Sequence, residues 1–229
     1  ARKAAADQMY RAVDVAIAVR PTIFTIENVP RAAKTERWKV VVGRLREAGY
    51  HVEVTEIDAA KMGVPQRRRR VFLLATLGGR GDTGFHAAAT SAQQGPDATI
   101  HEFFPREAAY YHYPRGPKDC AVRPVDAPSP CLRTRCGHFP LPGTYVPRKS
   151  DGGRLLGLCR KFSVMELAKV QGWPAAAAHA LPPGRTSACR ILGNSVAPPV
   201  MRWVAGHAHS VMDGDAYLTT GAHVVAPVH

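Results

Sequence analysis

The sequence has few cysteines, few acidic side chains and no long apolar run. Its five cysteines are an odd number spread thinly over 229 residues, which argues against a secreted disulfide scaffold and favours a reducing, intracellular compartment. No stretch of about 18 apolar residues occurs, so the sequence predicts no spanning helix and no membrane partner. Only 18 Asp and Glu oppose 31 Lys and Arg, giving a net charge of +13. This excess favours a polyanionic partner, with nucleic acid as the first candidate.

Hydrophobic residues make up 45% of the chain, enough for a packed core, and their spacing predicts alternating helices and strands. Met9, Val13 and Ile17 form one apolar helical face. β-branched and aromatic residues at 22–26 predict a buried parallel strand, and a helix is predicted from Thr35 to a stop at Gly49. Two more strands are predicted further along, at 50–55 and 71–75.

The second half of the chain is less regular. A linker is predicted at 78–84, and from there to about 157 prolines, glycines, histidines and aromatics are scattered without helical period, which predicts a loop-rich insert. Order returns with a capping box formed by Ser163 and Glu166, which predicts a helix start. Another helix is predicted near Ser195, because Pro198 and Pro199 suit a first helical turn.

Three short segments carry side chains suited to chemistry. Glu27 and Asn28 follow the strand at 22–26, where ligands of parallel sheets bind, although spacing alone favours a Glu27 that caps a turn or pairs with Arg31. The segment 66–70 ends in four consecutive arginines whose side chains alternate between two faces. Arginine suits phosphate or carbonyl groups, but a solvated basic edge would give the same pattern. Gly193-Asn194-Ser195-Val196 could line a ligand pocket or simply provide a helix N-cap.

Taken in order, these segments resemble the cytosine-C5 DNA methyltransferase family. Four segments of the chain match motifs of that family. Glu27-Asn28-Val29 matches Glu-Asn-Val, and Gln66 to Arg70 matches Gln-x-Arg-x-Arg. Glu166 to Pro174 matches Glu-x-x-x-x-Gln-Gly-(aromatic)-Pro, and Gly193 to Val196 matches Gly-Asn-(Ser/Ala)-Val. The order is the same, and a variable insert lies in a suitable position. The similarity covers nearly all of residues 1 to about 205.

The resemblance implies a fold and a domain arrangement. We expect an α/β protein with a partial Rossmann-like, S-adenosylmethionine-dependent methyltransferase sheet and a small irregular target-recognition insert. Residues 1–78 would form the C-terminal part of the catalytic domain, 79–158 the insert, and 159–229 a helical return to the catalytic domain.

The resemblance also implies a reaction. In this family a cysteine thiolate adds to C6 of a cytosine in DNA, C5 then accepts the methyl group of S-adenosylmethionine, and a base removes the C5 proton. The target base must leave the duplex to reach the pocket. The implied cofactor is therefore S-adenosylmethionine, and the implied partner is double-stranded DNA.

Site residues carry over from the matched motifs. Glu27 would contact N3 of the cytosine, which requires burial to raise the pKa of its carboxyl, and Asn28 would hold the surrounding loop. Arg68 and Arg70 would contact the cytosine O2 and the active-site backbone or phosphate, while Gln66 braces the turn. Arg67 and Arg69, which do not match the family pair, are expected to be solvated.

Further roles concern DNA and the methyl donor. Arg133 and Arg135 lie in a Pro-rich segment resembling the family's recognition loop, so they are expected to contact bases or phosphates. Asn194 and Ser195 would help to line the methyl-donor pocket. Glu166 and Gln171 are expected to be structural, and no metal ligand is predicted.

Two family elements have no counterpart in this sequence: the Gly-rich turn that cradles the methyl donor, and the Pro-Cys-Gln turn that supplies the nucleophile. The first helix resembles the one that follows the Pro-Cys-Gln turn, so we expect both elements upstream of residue 1. Pro130-Cys131-Leu132 lies in the insert, with the wrong following residue, and is not interpreted as the nucleophile. The chain is thus expected to be inactive alone, as a fragment or as a subunit needing a second chain with the missing half.

Three alternatives stay open. The first is an RNA-methylating member of the same family, which shares its motifs. The second is a catalytically inactive DNA-binding remnant or regulatory subunit that uses only the basic insert. The third is a zinc site of Cys120, Cys131, Cys136 and His138, which is disfavoured because the spacing lacks a Cys-x-x-Cys pair.

Overall fold

The computed structural model describes residues 2–78, 81–105, 107–112, 121–132, 138–142 and 162–213. The helices are α1 (Arg2–Val19), α2 (Glu36–Glu47), α3 (Phe85–Ala92), α4 (Ile100–Phe103), α5 (Val164–Val170), α6 (Ala175–Ala178), α7 (Arg185–Asn194) and α8 (Pro198–Asp213). The strands are β1 (Ile23–Asn28), β2 (His51–Asp58), β3 (Gln66–Arg67), β4 (Arg69–Thr76), β5 (Glu107–His112), β6 (Ala121–Pro124), β7 (Ser129–Pro130) and β8 (His138–Pro142). Short 3-10 helices span Ala32–Lys34 and Ala59–Met62.

The chain divides into two compact units. The described part of unit 1 comprises residues up to 58, 69–94 and 203–213, and that of unit 2 comprises 59–68 and residues between 95 and 202. This division differs from the predicted domain boundaries, because 81–94 belong to unit 1 although they fall within the predicted insert. The domain boundaries therefore stay a prediction.

Unit 1 is built on a three-stranded sheet in the order β1-β4-β2. β4 lies in the centre and is antiparallel to both neighbours, with Glu27 opposite Phe72 and Ile57 opposite Arg70. β1 and β2 consequently run in the same direction but are not adjacent. The prediction that the first strand is paired in parallel is thus wrong within the described residues, since a continuous apolar run does not specify strand direction.

One face of this sheet is covered by α1 and α2. Val13 and Ala16 of α1 pack with Trp38, Val41 and Leu45 of α2 in a cluster that also includes strand residues, namely Tyr50, Val52, Val71, Leu73 and Ala75. Thr35 caps α2 by accepting a hydrogen bond from the Trp38 N–H, and Gly49 ends the segment with a φ of +91°. Burying each large side chain contributes about 1.5–3 kcal/mol, so this layer supplies much of the core. Both helices confirm their predictions.

The opposite face of the sheet carries α3 and the unit 1 part of α8. The Phe85 ring of α3 lies 5.8 Å from that of Trp203 and 5.2 Å from that of His207. The His86 Nδ1 atom lies 3.2 Å from the Thr55 hydroxyl oxygen of β2. Because strand residues alternate between faces, Phe72 of β4, which is fully buried, belongs to this second layer. Unit 1 is therefore a three-layer α/β structure.

Unit 2 has a different composition. β3 and β7 form a short parallel pair, and β6-β5-β8 form an antiparallel sheet. Its core includes Leu132, Phe162, Leu167 and Leu192, with Phe104 packed edge-on against Phe162. The predicted Ser163–Glu166 capping box is confirmed at the start of α5. None of the described helices is long and apolar enough to cross a membrane.

Candidate functional site

Glu27 and Arg70 meet at the ends of two neighbouring strands in unit 1. Glu27 lies opposite Phe72, and Arg70 precedes Phe72 by two residues, so both side chains are on the same face of the sheet. The Arg70 Nε atom lies 2.8 Å from Glu27 Oε1, and the side chains are 14% and 26% exposed respectively. Arg70 Nη1 also donates to the Arg69 carbonyl at 2.8 Å. The pair is thus partly buried and held by charge, while remaining accessible.

Asn28 ends β1 directly beside this pair in sequence. Its side-chain Oδ1 accepts a hydrogen bond from the Val29 backbone N–H at 2.8 Å. This contact fixes the backbone where the chain leaves the strand. The arrangement agrees with the loop-holding role that the family resemblance implies for Asn28.

The four arginines alternate in exposure as predicted. Arg68 is only 2% exposed and Arg70 is half-buried, whereas Arg67 and Arg69 are exposed. The exposed two are nevertheless ion-paired: Arg67 with Asp97, and Arg69 with Glu56. Hydrogen bonding from Arg67, aided by Lys61, holds the pKa of the Asp97 carboxyl below its usual value against the opposing effect of burial. The sequence predicted that Arg67 and Arg69 are solvated, and it did not predict their carboxylate partners.

Arg68 lies in unit 2 and donates to two separate segments of the chain. Its Nη1 atom donates to Cys131 Sγ at 3.1 Å and to the Leu132 carbonyl at 3.2 Å. Its Nη2 atom donates to the Gly193 carbonyl at 3.0 Å and to the Ser195 carbonyl at 2.5 Å. Three of these four acceptors are backbone carbonyls, and they lie up to 127 residues away in sequence. The expected contact of Arg68 with the cytosine or the active-site backbone stays a prediction.

Two glutamines support the same region of unit 2. Gln66 is fully buried, and its Oε1 accepts a hydrogen bond from the Leu132 N–H at 3.2 Å. Gln171 is also fully buried, and its Nε2 donates to the Ser195 hydroxyl at 2.7 Å and to the Ser195 carbonyl at 3.3 Å. Each glutamine thus holds one of the two segments that Arg68 contacts.

Gly172, in the third matched motif, packs closely against residues that flank the second and fourth motifs. Its φ is +75°, and a Cβ built there would lie 2.9 Å from Pro199 Cδ and 3.2 Å from Val64 Cγ2. A larger residue would be strained both by its backbone and by these neighbours. The sequence motif matched this glycine without revealing the reason for it.

The structure contradicts one of the two interpretations of the segment 193–195, namely that it provides a helix N-cap. Ser195 is not the N-cap of the following helix but the C-cap of α7, with φ −76° and ψ 158°. Its hydroxyl donates to the Leu192 carbonyl at 3.1 Å and accepts from Gln171. Asn194, the last residue of α7, is exposed. The N-cap interpretation fails because α7 continues through the Gly-Asn pair before α8 begins at Pro198.

Several candidates cannot be placed. Arg133 and Arg135 lie outside the described residues, as do Cys120 and Cys136 of the alternative zinc set. Cys131 is a free, half-buried thiol. Within the described ranges one other set of side chains has metal-ligand character: His51, Glu53 and Asp82 offer atoms within 4.8 Å of one another. Glu53 Oε1 already accepts from the Thr83 N–H at 2.8 Å and from its hydroxyl, so we assign no metal there.

Comparison with known proteins supports the family resemblance. The family model described as C-5 cytosine-specific DNA methylase matches residues 6–109. The Type II methyltransferase M.HgiDI of Herpetosiphon aurantiacus is 28% identical, over 70% of this chain and 52% of that protein. M.BsuFI of Bacillus subtilis is 27% identical, over 82% of this chain and 47% of that protein. The chain therefore spans about half the length of these relatives.

Solved structures show the same fold at low identity. The S. pombe Dnmt2 methyltransferase has a TM-score of 0.61 at 16% identity, covering 84% of this chain and 68% of that one. The Entamoeba histolytica methyltransferase EhMeth has a TM-score of 0.58 at 17% identity, covering 85% and 63%. The motif order, the partial Rossmann-like α/β fold and the matching relatives agree, and all of them make the chain similar to the C-5 cytosine-specific DNA methylase family.

Proposed function

We propose that the protein containing these residues is a DNA cytosine-C5 methyltransferase that acts on a cytosine turned out of the duplex. The single observation that supports this most directly is the Glu27–Arg70 pair at the ends of β1 and β4. A carboxyl group and a guanidinium offer complementary partners for the N3–C2–O2 edge of a cytosine ring. Duplex DNA is the proposed substrate.

Glu27 and Arg70 have distinct roles in this proposal. Glu27, in its protonated form, donates a hydrogen bond to N3, which lets the ring accept charge when a nucleophile adds at C6. Arg70 binds O2. A guanidinium has five N–H donors, and the contacts to Glu27 and to the Arg69 carbonyl engage two of them. Arg70 can therefore hold Glu27 in place and still donate to the base.

S-adenosylmethionine is the proposed cofactor and supplies the methyl group. The exposed amide of Asn194 offers both a donor and an acceptor to polar groups of such a molecule. The Ser195 hydroxyl is engaged by Gln171 and the Leu192 carbonyl, so its proposed role is to shape the pocket wall. The residues present fit a donor site at this turn.

Some roles are not assigned to described residues. Residues 1–229 contain no Pro-Cys-Gln sequence, so we assign the C6 nucleophile to no residue of this chain. Cys131 accepts a hydrogen bond from buried Arg68, which fits a structural role. Arg133 and Arg135 stay predicted contacts to DNA bases or phosphates.

Methyl transfer by the protein expressed from the complete reading frame tests this function. It is incubated with methyl-labelled S-adenosylmethionine and either unmethylated bacterial genomic DNA or bulk tRNA, and the nucleosides are identified by mass spectrometry. We expect labelled 5-methylcytosine in DNA. Label only in tRNA would favour the RNA-methylating alternative, label on another DNA base would contradict the chemistry, and DNA binding without transfer would favour an inactive binding protein.

A further inference from the structure

We propose that Arg68 is a positioning residue that couples DNA binding to methyl-donor binding. This inference rests on the proposed function, in which Arg133 and Arg135, close to Cys131 in sequence, contact DNA and Asn194 and Ser195 line the donor pocket. The observation is that one buried guanidinium hydrogen-bonds both segments. A role in base contact alone would not require acceptors from both.

The two ends of the guanidinium serve different segments. Nη1 lies 3.1 Å from Cys131 Sγ and 3.2 Å from the Leu132 carbonyl, and Nη2 lies 3.0 Å from the Gly193 carbonyl and 2.5 Å from the Ser195 carbonyl. Arg68 is 2% exposed, so water does not readily replace an acceptor that moves away. Each contact is a charge-assisted hydrogen bond, which is stronger than a neutral one.

The rigidity of the group turns these contacts into a link. A guanidinium is planar, and its two Nη atoms cannot move independently. A shift of residues 131–132 therefore changes the position of Nη2 relative to residues 193–195. A ligand that orders one of the two segments lowers the entropy cost of ordering the other when a second ligand binds. By thermodynamic linkage, each ligand must then raise the affinity for the other by the same factor.

Among the contacts of the described residues, two neighbouring side chains each hold one of the two segments, and they provide a comparison. Gln66 contacts the Leu132 N–H, and Gln171 contacts Ser195. Removing either contact should weaken one binding event and leave the link through Arg68 in place. Arg67 precedes Arg68 directly but is exposed and paired with Asp97, so it is a matched control.

The coupling is measured as a ratio of dissociation constants. The affinity of the complete protein for S-adenosylhomocysteine is determined by calorimetry with and without saturating sheared genomic DNA. We expect DNA to tighten S-adenosylhomocysteine binding about fivefold or more in the unmodified protein. The ratio should fall towards one in Arg68→Lys, which keeps the charge but loses the fork, and should be unchanged in Arg67→Lys.

The one-sided variants separate coupling from general structural damage. Gln171→Ala should weaken S-adenosylhomocysteine binding and Gln66→Ala should weaken DNA binding, each with the ratio preserved. A purely structural Arg68 would lower affinities or stability in Arg68→Lys without changing the ratio. That result, in a folded variant, would overturn the inference.

Hydrogen–deuterium exchange in the unmodified protein tests the link without any substitution. Adding S-adenosylhomocysteine in the absence of DNA should slow exchange at the amides of Ser129, Cys131 and Leu132, which it is not proposed to touch. Unchanged exchange there, together with protection near Asn194, would overturn the coupling and leave the proposed function standing. Methyl transfer to DNA with a coupling ratio of one would do the same, whereas an absence of S-adenosylhomocysteine binding and methyl transfer would overturn both.

Discussion

At the residue scale, four consecutive arginines occupy three kinds of environment. Arg67 and Arg69 pair with Asp97 and Glu56 at the surface, Arg70 pairs with Glu27, and Arg68 is buried among backbone carbonyls. Alternation along an extended chain accounts for the difference in exposure. The partners, however, are set by the tertiary fold, and they determine what each arginine can contribute.

Gly172 gives a stability prediction at this scale. Gly172→Ala should lower the free energy of unfolding by about 1–3 kcal/mol, because the new Cβ meets Pro199 at 2.9 Å in a backbone with positive φ. Denaturant unfolding measures the change. Gly184→Ala is the matched control, since its φ is −75° and its Cβ would meet nothing closer than 4.0 Å. Equal effects in the two variants would contradict this explanation.

Sequence reasoning identified the candidate residues but not their contacts. The Glu27 side chain was open to several partners, and only the register of β1 against β4 shows why Arg70 lies beside it. Arg68 reaches acceptors 63 to 127 residues away, which no local pattern encodes. Residue types and spacing therefore nominated candidate site residues, which stay a prediction, while the contacts among those residues depend on long-range packing.

At the element scale, patterns with a strong period were the most informative. α2, β2 and β4 match their predicted positions, because apolar periodicity and a Gly stop mark them directly. α3 was missed: its buried residues are only Phe85 and Ala89, and its apolar face is otherwise alanine. The i, i+4 spacing of these two was the available signal. The sequence also did not indicate whether the strands pair in parallel or antiparallel, because β4 is apolar on both faces.

His207 gives a pH prediction for the layer formed by α3 and α8. Burial beside Phe85 and Trp203 lowers the pKa of His207, and the Glu53 carboxylate opposes this only partly. As the pH falls, His207 is therefore protonated more readily in the unfolded chain than in the folded chain. The free energy of unfolding should decrease as pH falls below about 6.5, the ordinary value for histidine.

His207→Phe should remove this part of the pH dependence, since an aromatic ring can pack against the same neighbours. Chemical unfolding at several pH values measures it, with exposed His179→Gln as the control that keeps the unmodified profile. An unchanged pH profile in His207→Phe would show that other groups cause the effect.

At the scale of the whole molecule, the net charge of +13 predicts the salt dependence of the proposed DNA binding. Affinity for duplex DNA should fall about 10³-fold or more between 50 and 200 mM salt if six or more phosphates are contacted. Fluorescence anisotropy with a labelled duplex measures this. Arg133→Gln and Arg135→Gln should each reduce the salt slope by about one if they contact phosphates, whereas Arg67→Gln should not. Salt-independent binding would contradict an electrostatic interface.

The central claim is that Glu27 and Arg70 form the cytosine-binding edge of the site, and one comparison tests it most directly. The rate of methyl transfer to DNA is measured for the complete protein and for Glu27→Gln and Glu56→Gln, since both glutamates pair with an arginine of the same run. Glu27→Gln should lower the rate about 10²-fold or more with DNA affinity retained, and Glu56→Gln should leave it nearly unchanged. Full activity in Glu27→Gln, or equal losses in the two variants, would contradict the account.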